Sequence, residues 1–565
     1  MEASRVSRLR PTTRDDWMTT ASYDSGSRVA LNTASAWVAN GTTMLVGFFL
    51  TPFLLAHLGD RVYGLYSLAA SIAAWTVFLG VPIGTYASRY ATEHLEKKEI
   101  DALNRTLATS LGLAVLAAAF LILPVSLLVS YPEKLFRLSS DIVPAARSAI
   151  LILGLCGVLT VVVRVWESTV FMSRSFYLMN MVHMASRLMG AAVVVAYFVW
   201  IGPSLTVWLI TMVGLPLLLS ICVVIPLASR GVSARLTVVA FDRSEIRRAV
   251  PFVLFLAVGG LGHLLFDSTD ALVISGMPEL GLSHVAAYDV GARWWRLLRP
   301  LIEGFVIAVS PALIGLAARN DGPGLAREVI SRTRQSMLVG MIPVVGIASV
   351  AEPFIAHWVG TAYVSAAVPV MWVTLASLLL WAPGMYAWRV AIAISRIRLT
   401  MASIVAAGML NLLLSIGFVR YLKLGLIGVA AGTLVSVILW SNIFMGLLVC
   451  RSCGIRPARY FRDAYLRPGL TLLILTTVGW GAIHLWIPAS LLQTAVLLGL
   501  LAISFCPIVF ALGLTGEERA RLLECAKPRA SAARSRLRET LAQARRNRLI
   551  EFMIIGAGRR GGPSA

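Results

Sequence analysis

LATSLGLAVLAAAFLILPVSLLV, residues 107–129, runs for 23 positions without one ionisable side chain. As an α-helix rising about 1.5 Å per residue it spans roughly 35 Å, enough to cross a hydrocarbon core of about 30 Å. Inside lipid every backbone N–H and C=O must find a partner within the segment, so a stretch of this kind is read as a transmembrane helix. Outward in both directions the pattern repeats: apolar blocks of about 20 residues alternate with short polar turns. The predicted spans are 31–54, 62–84, 107–129, 145–166, 177–200, 202–227, 249–274, 285–316, 333–353, 364–388, 399–419, 424–449, 468–486 and 490–513. The first, eighth and tenth have the length to protrude or bend. Hydrophobic residues make up 58% of the chain, charged residues 14%, and mean hydropathy is +0.79. A soluble protein needs about 25% charge, so a soluble multidomain protein is excluded. The fold class is an all-α polytopic membrane protein with about 14 transmembrane helices.

Basic residues orient the spans, because short cytoplasmic loops retain the Lys/Arg excess. With the N-terminus inside, the inner segments hold forty Lys/Arg. The outer loops hold six: Arg61, Lys134, Arg137, Arg147, Arg420 and Lys423. The alternation predicts an even number of spans and two cytoplasmic termini. Twelve of the inner cations lie in the last fifty residues, a basic tail read either as an amphipathic helix on the membrane or as disordered chain. The net charge of +22 is assigned to orientation and to anionic lipids, since no soluble basic domain with a nucleic-acid motif accompanies it. Residues 1–28 lack an apolar core and do not read as a cleavable signal peptide.

The second half echoes the first at an offset of about 222 residues. Ser173-Arg174 corresponds to Ser395-Arg396, and Phe241-Asp242-Arg243 to Phe461-Arg462-Asp463. LGDRVYGLYSLA from Leu58 has a looser echo in LGLSHVAAYDVG from Leu280, which sets Tyr63 opposite Tyr288; Pro82 and Pro311 follow. Six spans is an even offset, so two similar lobes of equal orientation are expected, related by an axis along the membrane normal. The predicted organisation is a cytoplasmic segment 1–28, an N-lobe 29–229, a linker 230–248, a C-lobe 249–450, two extra helices 451–513 and the basic tail 514–565.

Arginine at mid-bilayer costs about 2.5–3.5 kcal/mol on insertion scales, so such residues should face a cavity or a partner. Arg293, Arg296 and Arg299 stand in DVGARWWRLLRPLIEG on the eighth span, at depths of roughly 12 to 21 Å, and cannot all reach one interface. Asp289–Arg293 and Arg299–Glu303 are i, i+4 pairs, which leaves Arg296 without a carboxylate of its own. A hydrated anion-binding cleft is therefore expected around these guanidiniums, whose planar forks grip phosphate oxygens in pairs. Arg187, roughly 15 Å into the fifth span, is the first-lobe candidate. Arg164, at the end of the fourth, is a weaker one. Asp267 and Asp270, with Asp289 and Glu303, are candidates for an outer gate or for a coupling cation; the surrounding arginines favour the gate. Tyr63, Tyr288 and Trp294 are read as cleft or interfacial-belt aromatics.

Catalytic patterns fail. The short outer loops offer only Asp60, Glu133, Asp141, Glu279 and Glu352, and neither HExxH, a nucleophile elbow nor a Walker A motif appears. Gly556-x-Gly558-x-x-Gly561 ends four residues before the last one, with no room for a βαβ unit. Cys450-x-x-Cys453 has no second pair nearby and is read as small apolar filler, so neither a metal nor a cofactor is expected.

Leu58-Gly59-x-x-x-Tyr63-Gly64-Leu65-Tyr66, Arg89-Tyr90 with the amphipathic stretch to Arg105, Tyr288, Pro311-Ala312-Leu313 and Asp321 together carry a resemblance. Over about 30–515 the sequence resembles the polysaccharide-export branch of the multidrug/oligosaccharidyl-lipid/polysaccharide (MOP) flippase superfamily. The resemblance implies a MATE-like fold of two six-helix lobes plus two C-terminal helices, in a bacterial inner membrane. It implies a transporter rather than an enzyme, moving undecaprenyl-diphosphate-linked repeat units to the outer leaflet by alternating access. Partners would be the polyprenyl-diphosphate-linked glycan, anionic lipids and the polysaccharide polymerase and export machinery. Relatives keep a cationic cavity, to which Arg187, Arg293, Arg296 and Arg299 answer by type and depth; a coupling ion, Na+ or H+, is left open. The competing readings are a peptidoglycan-precursor flippase, a drug or cation antiporter of the same superfamily, and a membrane polysaccharide ligase or polymerase. An antiporter would carry a deep carboxylate with few basic neighbours, and a ligase a large outer loop.

Overall fold

The computed structural model describes residues 25–229, 242–319, 321–394 and 396–524. The N-terminal segment to residue 24, Phe241, Ser395, Cys525 and the basic tail beyond it, including Gly556-x-Gly558-x-x-Gly561, lie outside those residues. The described chain is helical without a β-strand. Its main helices are α1 (Ser25–Val77), α2 (Gly80–Glu96), α3 (Ile100–Ser130), α4 (Val143–Trp166), α5 (Phe176–Trp200), α6 (Leu205–Leu227) and α7 (Arg243–Asp267). There follow α8 (Leu282–Ala318), α9 (Gly322–Ser349), α10 (Val364–Ala393), α11 (Ile397–Arg420), α12 (Gly425–Ser452), α13 (Pro457–Leu485) and α14 (Leu491–Gly513). Twelve of the described helices are long and apolar enough to cross a membrane, thirteen with one bent pair counted as a span.

The first of these is too long for one crossing: α1 has 53 residues, roughly 80 Å of helix. It is broken at Gly59, whose φ of 77° and ψ of 166° belong to a region that glycine alone enters without strain. The two legs on either side count as separate spans, which brings the number to about fourteen. The bent pair is α9 with Ala351–Trp358, which meet at 67°. Here the prediction of a ninth span at 333–353 is corrected: α9 starts eleven residues earlier, where the Oδ1 of Asp321 accepts from the N–H of Gly324 at 2.9 Å and caps the helix. The eighth span, at 37 residues, also exceeds the bilayer.

Which face of a helix turns inward follows from its pattern. On α3 the buried positions Leu107, Leu111, Ala114, Ala118, Leu121 and Val125 recur every three or four residues. Leu116, Phe120, Leu123 and Leu127 form the opposite, exposed stripe, which is apolar because its solvent is lipid. With lipid as apolar as leucine, close approach rather than water exclusion holds neighbours together, and small residues mark the closest crossings. A Cβ on Gly64 would lie 1.9 Å from the carbonyl O of Leu282, where the second leg of α1 meets the start of α8. Gly262 and Gly408 do the same for α7 and α11.

One buried ion pair fastens the last two helices. Arg334 of α9 is inside the bundle, with 6% of its side chain exposed against 8% for Glu518. Its Nη2 and Nε donate to the two oxygens of Glu518 at 2.7 and 3.2 Å, and its Nη1 donates to the carbonyl of Asp463 on α13 at 2.6 Å. Burial pushes the Glu518 carboxyl up, but hydrogen bonds from Arg334, Ser331 and the Thr515 N–H outweigh it and hold the group at about 2.

Two outcomes follow. Gly64→Ala lowers stability by about 1–3 kcal/mol, read as a drop in melting temperature and folded yield, because the obstacle is backbone. Glu518 has a depressed folded-state pKa, so its contribution is complete above the ordinary glutamate range and is lost as pH falls from about 4 toward about 2. Melting curves of the purified protein show that step, and Glu518→Gln removes it.

Candidate functional site

α8 is the axis of the site, packed against α1, α9 and α10. Along one of its faces the charged residues are grouped into two knots.

The first centres on Asp289. Its Oδ2 accepts from Nη2 of Arg293 at 2.7 Å and from the Tyr63 hydroxyl at 2.8 Å, while its Oδ1 accepts from Nη2 of Arg296. Arg293 donates further to the Tyr63 oxygen, to Thr51 Oγ1 and, at 3.4 Å, to the Gly47 carbonyl. Gly47 and Thr51 belong to the first leg of α1 and Tyr63 to its second, so the Gly59 break brings both legs onto one guanidinium. Tyr63 is fully buried, stacked at 6.2 Å on Trp208 of α6.

The second knot centres on Arg299, whose Nη1 donates to Asp267 and whose Nε donates to Glu303, both at 2.7 Å. The guanidinium lies 5.4 Å over the ring of Trp381. His263, one turn before Asp267 on α7, packs edge to face with Trp388 at 5.6 Å. Two guanidiniums share one carboxylate in the first knot, and two carboxylates share one guanidinium in the second. The face is therefore net positive at the Asp289 end and net negative at the Glu303 end.

Several expectations need correction. Arg296 does have a carboxylate on its own helix, because Asp289 uses both oxygens and a long side chain spans the seven-residue separation. Arg293 and Arg299 are not open anion ligands but enclosed members of networks. Tyr63 and Tyr288 are buried rather than interfacial; the Tyr288 hydroxyl donates to Asp270 at 2.5 Å, so Asp270 pairs with a tyrosine and not with an arginine. Trp294 is buried in an aromatic cluster with Phe354 at 5.1 Å and Trp358 at 6.0 Å. Arg164 is an exposed partner of Glu167 at 2.9 Å.

Two arginines keep spare capacity. Half of the Arg296 side chain is exposed, against 17% for Arg293 and 13% for Asp289. Arg187 of α5 is partly exposed and donates from Nη1 to the Met212 carbonyl at 3.1 Å. Met212 follows by one turn on α6 the ring of Trp208, against which Tyr63 and Tyr66 pack at 6.2 and 3.7 Å.

Thr51, Trp208, His263 and Trp381 were not singled out from sequence. For His263 a signal existed, its i, i+4 spacing to Asp267; the others carry no charge and no motif.

No family model matches the sequence. The uncharacterized membrane protein EpsK of Bacillus subtilis (strain 168) is 23% identical over 509 residues, 86% of this chain and 96% of that protein. Among solved structures, the lipid II flippase MurJ in an inward closed conformation aligns with a TM-score of 0.64 at 16% identity, over 85% of this chain and 99% of that one. An inward-facing multidrug resistance MATE family transporter of the MOP superfamily aligns with a TM-score of 0.57 at 14% identity, over 72% and 95%. The chain has the fold of this superfamily of flippases and transporters, as the resemblance implied.

Asp289→Asn strips the one carboxylate from two guanidiniums and is expected to cost about 3–5 kcal/mol, the range for breaking a buried pair from one side. Arg296→Ala leaves the Asp289–Arg293–Tyr63 bonds in place and melts within about 1 kcal/mol of the parent, as exposed ion pairs do. Thermal denaturation of the two purified variants checks the contrast.

Proposed function

We propose that this protein is a flippase for a polyprenyl-diphosphate-linked oligosaccharide, carried from the inner to the outer leaflet for exopolysaccharide or O-antigen export. In this reading 29–229 and 249–450 are lobes that rock against each other, with 451–513 as an added pair of helices and both termini in the cytoplasm of a bacterial cell. A diphosphate cannot enter hydrocarbon, since an uncompensated ion there costs tens of kcal/mol in the Born limit. The observation that carries the reading is Arg296, half exposed on α8 while Arg293 and Arg299 on either side of it are largely enclosed.

The chemistry is exchange of counter-ions. Asp289 neutralises one of its two arginines, so an incoming diphosphate meets an excess positive charge and replaces Asp289 on the fork of Arg296. Arg187 supplies a second grip from the other lobe. The Tyr63–Asp289–Arg293–Thr51 bonds join α1 to α8 and act as the latch at that end of the cleft. Relieved of Arg296, Asp289 keeps its bonds to Arg293 and Tyr63, so the cargo is taken up with the latch still closed. The acidic knot of Asp267 and Glu303 around Arg299, with Asp270 nearby, is the place for a coupling H+ or Na+.

Similarity to a lipid II flippase favours a second reading, a peptidoglycan-precursor cargo with the same diphosphate. Removing the protein from its host separates the two: undecaprenyl-linked repeat units accumulate on the inner leaflet under the first reading, lipid-linked peptidoglycan precursor under the second. Arg296→Ala, at matched membrane expression, is expected to reduce export by about 30- to 150-fold, as losing a charge-assisted contact of about 2–3 kcal/mol implies. Unchanged export would sink the assignment of Arg296.

A further inference from the structure

The Arg89-Tyr90 pair takes no part in the site above. It lies on α2, at the bundle end to which the basic residues assign the cytoplasm, where α2 packs against the first turns of α7. Tyr86 is buried at this junction and its hydroxyl donates to Glu245 of α7 at 2.7 Å. Tyr90 and Phe252 meet edge to face at 5.7 Å, and Tyr86 closes the group at 4.7 and 5.6 Å from them. Two guanidiniums from different helices rest on this aromatic floor. Arg248 of α7 lies 4.2 Å from the centroid of the Tyr90 ring; Arg89 lies 5.4 Å from the same ring and 5.8 Å from Phe252.

The charge balance here is unusual. Both guanidiniums are exposed, and among the described residues neither has a carboxylate within ion-pair distance. The two nearby acids are already engaged, Glu93 by Lys97 at 2.7 Å and Glu245 by Tyr86. A structural staple between α2 and α7 would need one arginine on the ring. Two like charges on one ring repel each other, and a bound anion removes that repulsion while using the planar donors left free. A tyrosine at a span end, such as Tyr90, marks the depth of lipid headgroups, which is where the phosphates of a membrane lie.

We infer that Arg89 and Arg248, held on the Tyr90–Phe252 platform, form a binding site for the phosphate of a lipid headgroup on the inner surface. The site is separate from the α8 face and does not depend on what that face transports. Its ligand has two sources, a bulk anionic phospholipid or the diphosphate of a polyprenyl carrier.

Native mass spectrometry of the full chain in an uncharged detergent tests this, with undecaprenyl diphosphate and dioleoylphosphatidylglycerol as probes. The double variant Arg89→Ala/Arg248→Ala is expected to bind at least one probe about tenfold more weakly, the equivalent of about 1.4 kcal/mol. Weakening for undecaprenyl diphosphate alone assigns the site to the carrier. Weakening for both, or for the phospholipid alone, assigns it to bulk headgroups; each outcome supports the site. Unchanged affinity for both probes overturns it. Should the alanine pair fail to fold, Arg89→Lys/Arg248→Lys keeps the charge but loses the fork and the stacking, and is expected to weaken binding severalfold; unchanged affinity there overturns the inference equally.

Discussion

The carboxylate of Asp289 is the constraint on which the rest of the structure turns. It accepts from Arg293, Arg296 and Tyr63, and through them fixes both legs of α1 against α8. None of these groups is cheap to place in a bilayer, and each is tolerable only because the others are present. The backbone serves the same end. Gly59 supplies the break that turns the chain back so that Thr51 and Tyr63 arrive at one guanidinium, and Gly64 lets the second leg touch the start of α8.

The uneven sharing of charge along α8 has a consequence for transport. A fully balanced network would be a fastener and nothing more. Here the Asp289 knot retains a positive excess and the Arg299 knot a negative one, on a single rigid helix. Under the proposed function, an anionic cargo and a cationic coupling ion would have complementary places on one helix, and occupation of either would change the field at the other. The excess positive charge also resides on the arginine with the greatest exposure, so it is accessible without first dismantling the latch.

How much of this was legible depends on the range of the interaction. The spans were legible because the bilayer imposes a length and a composition on every one of them, whereas their ends were not: the predicted 249–274 breaks after Asp267, and the predicted 62–84 after Val77. Ion pairs within a turn, such as Arg299–Glu303, were legible from i, i+4 spacing. Contacts between helices were not. Nothing local ties Thr51 or Tyr63 to Arg293, or Arg334 to its partner Glu518, 184 positions away. Trp294 was misread for the same reason: on a helix buried on several sides, spacing says which residues share a face but not which neighbour covers it. The kink at Gly59 was hidden in a polar turn that reads equally well as a loop.

The central claim is that the Arg296 guanidinium stands in water between the two halves while Arg293, one turn away, does not. Accessibility to a membrane-impermeant methanethiosulfonate reagent measures this most directly, with Arg296→Cys and Arg293→Cys each placed in a background lacking the six native cysteines. The account predicts rapid modification at position 296 that undecaprenyl diphosphate suppresses, and little at position 293. A position 296 that no reagent reaches from either side of the membrane would contradict it.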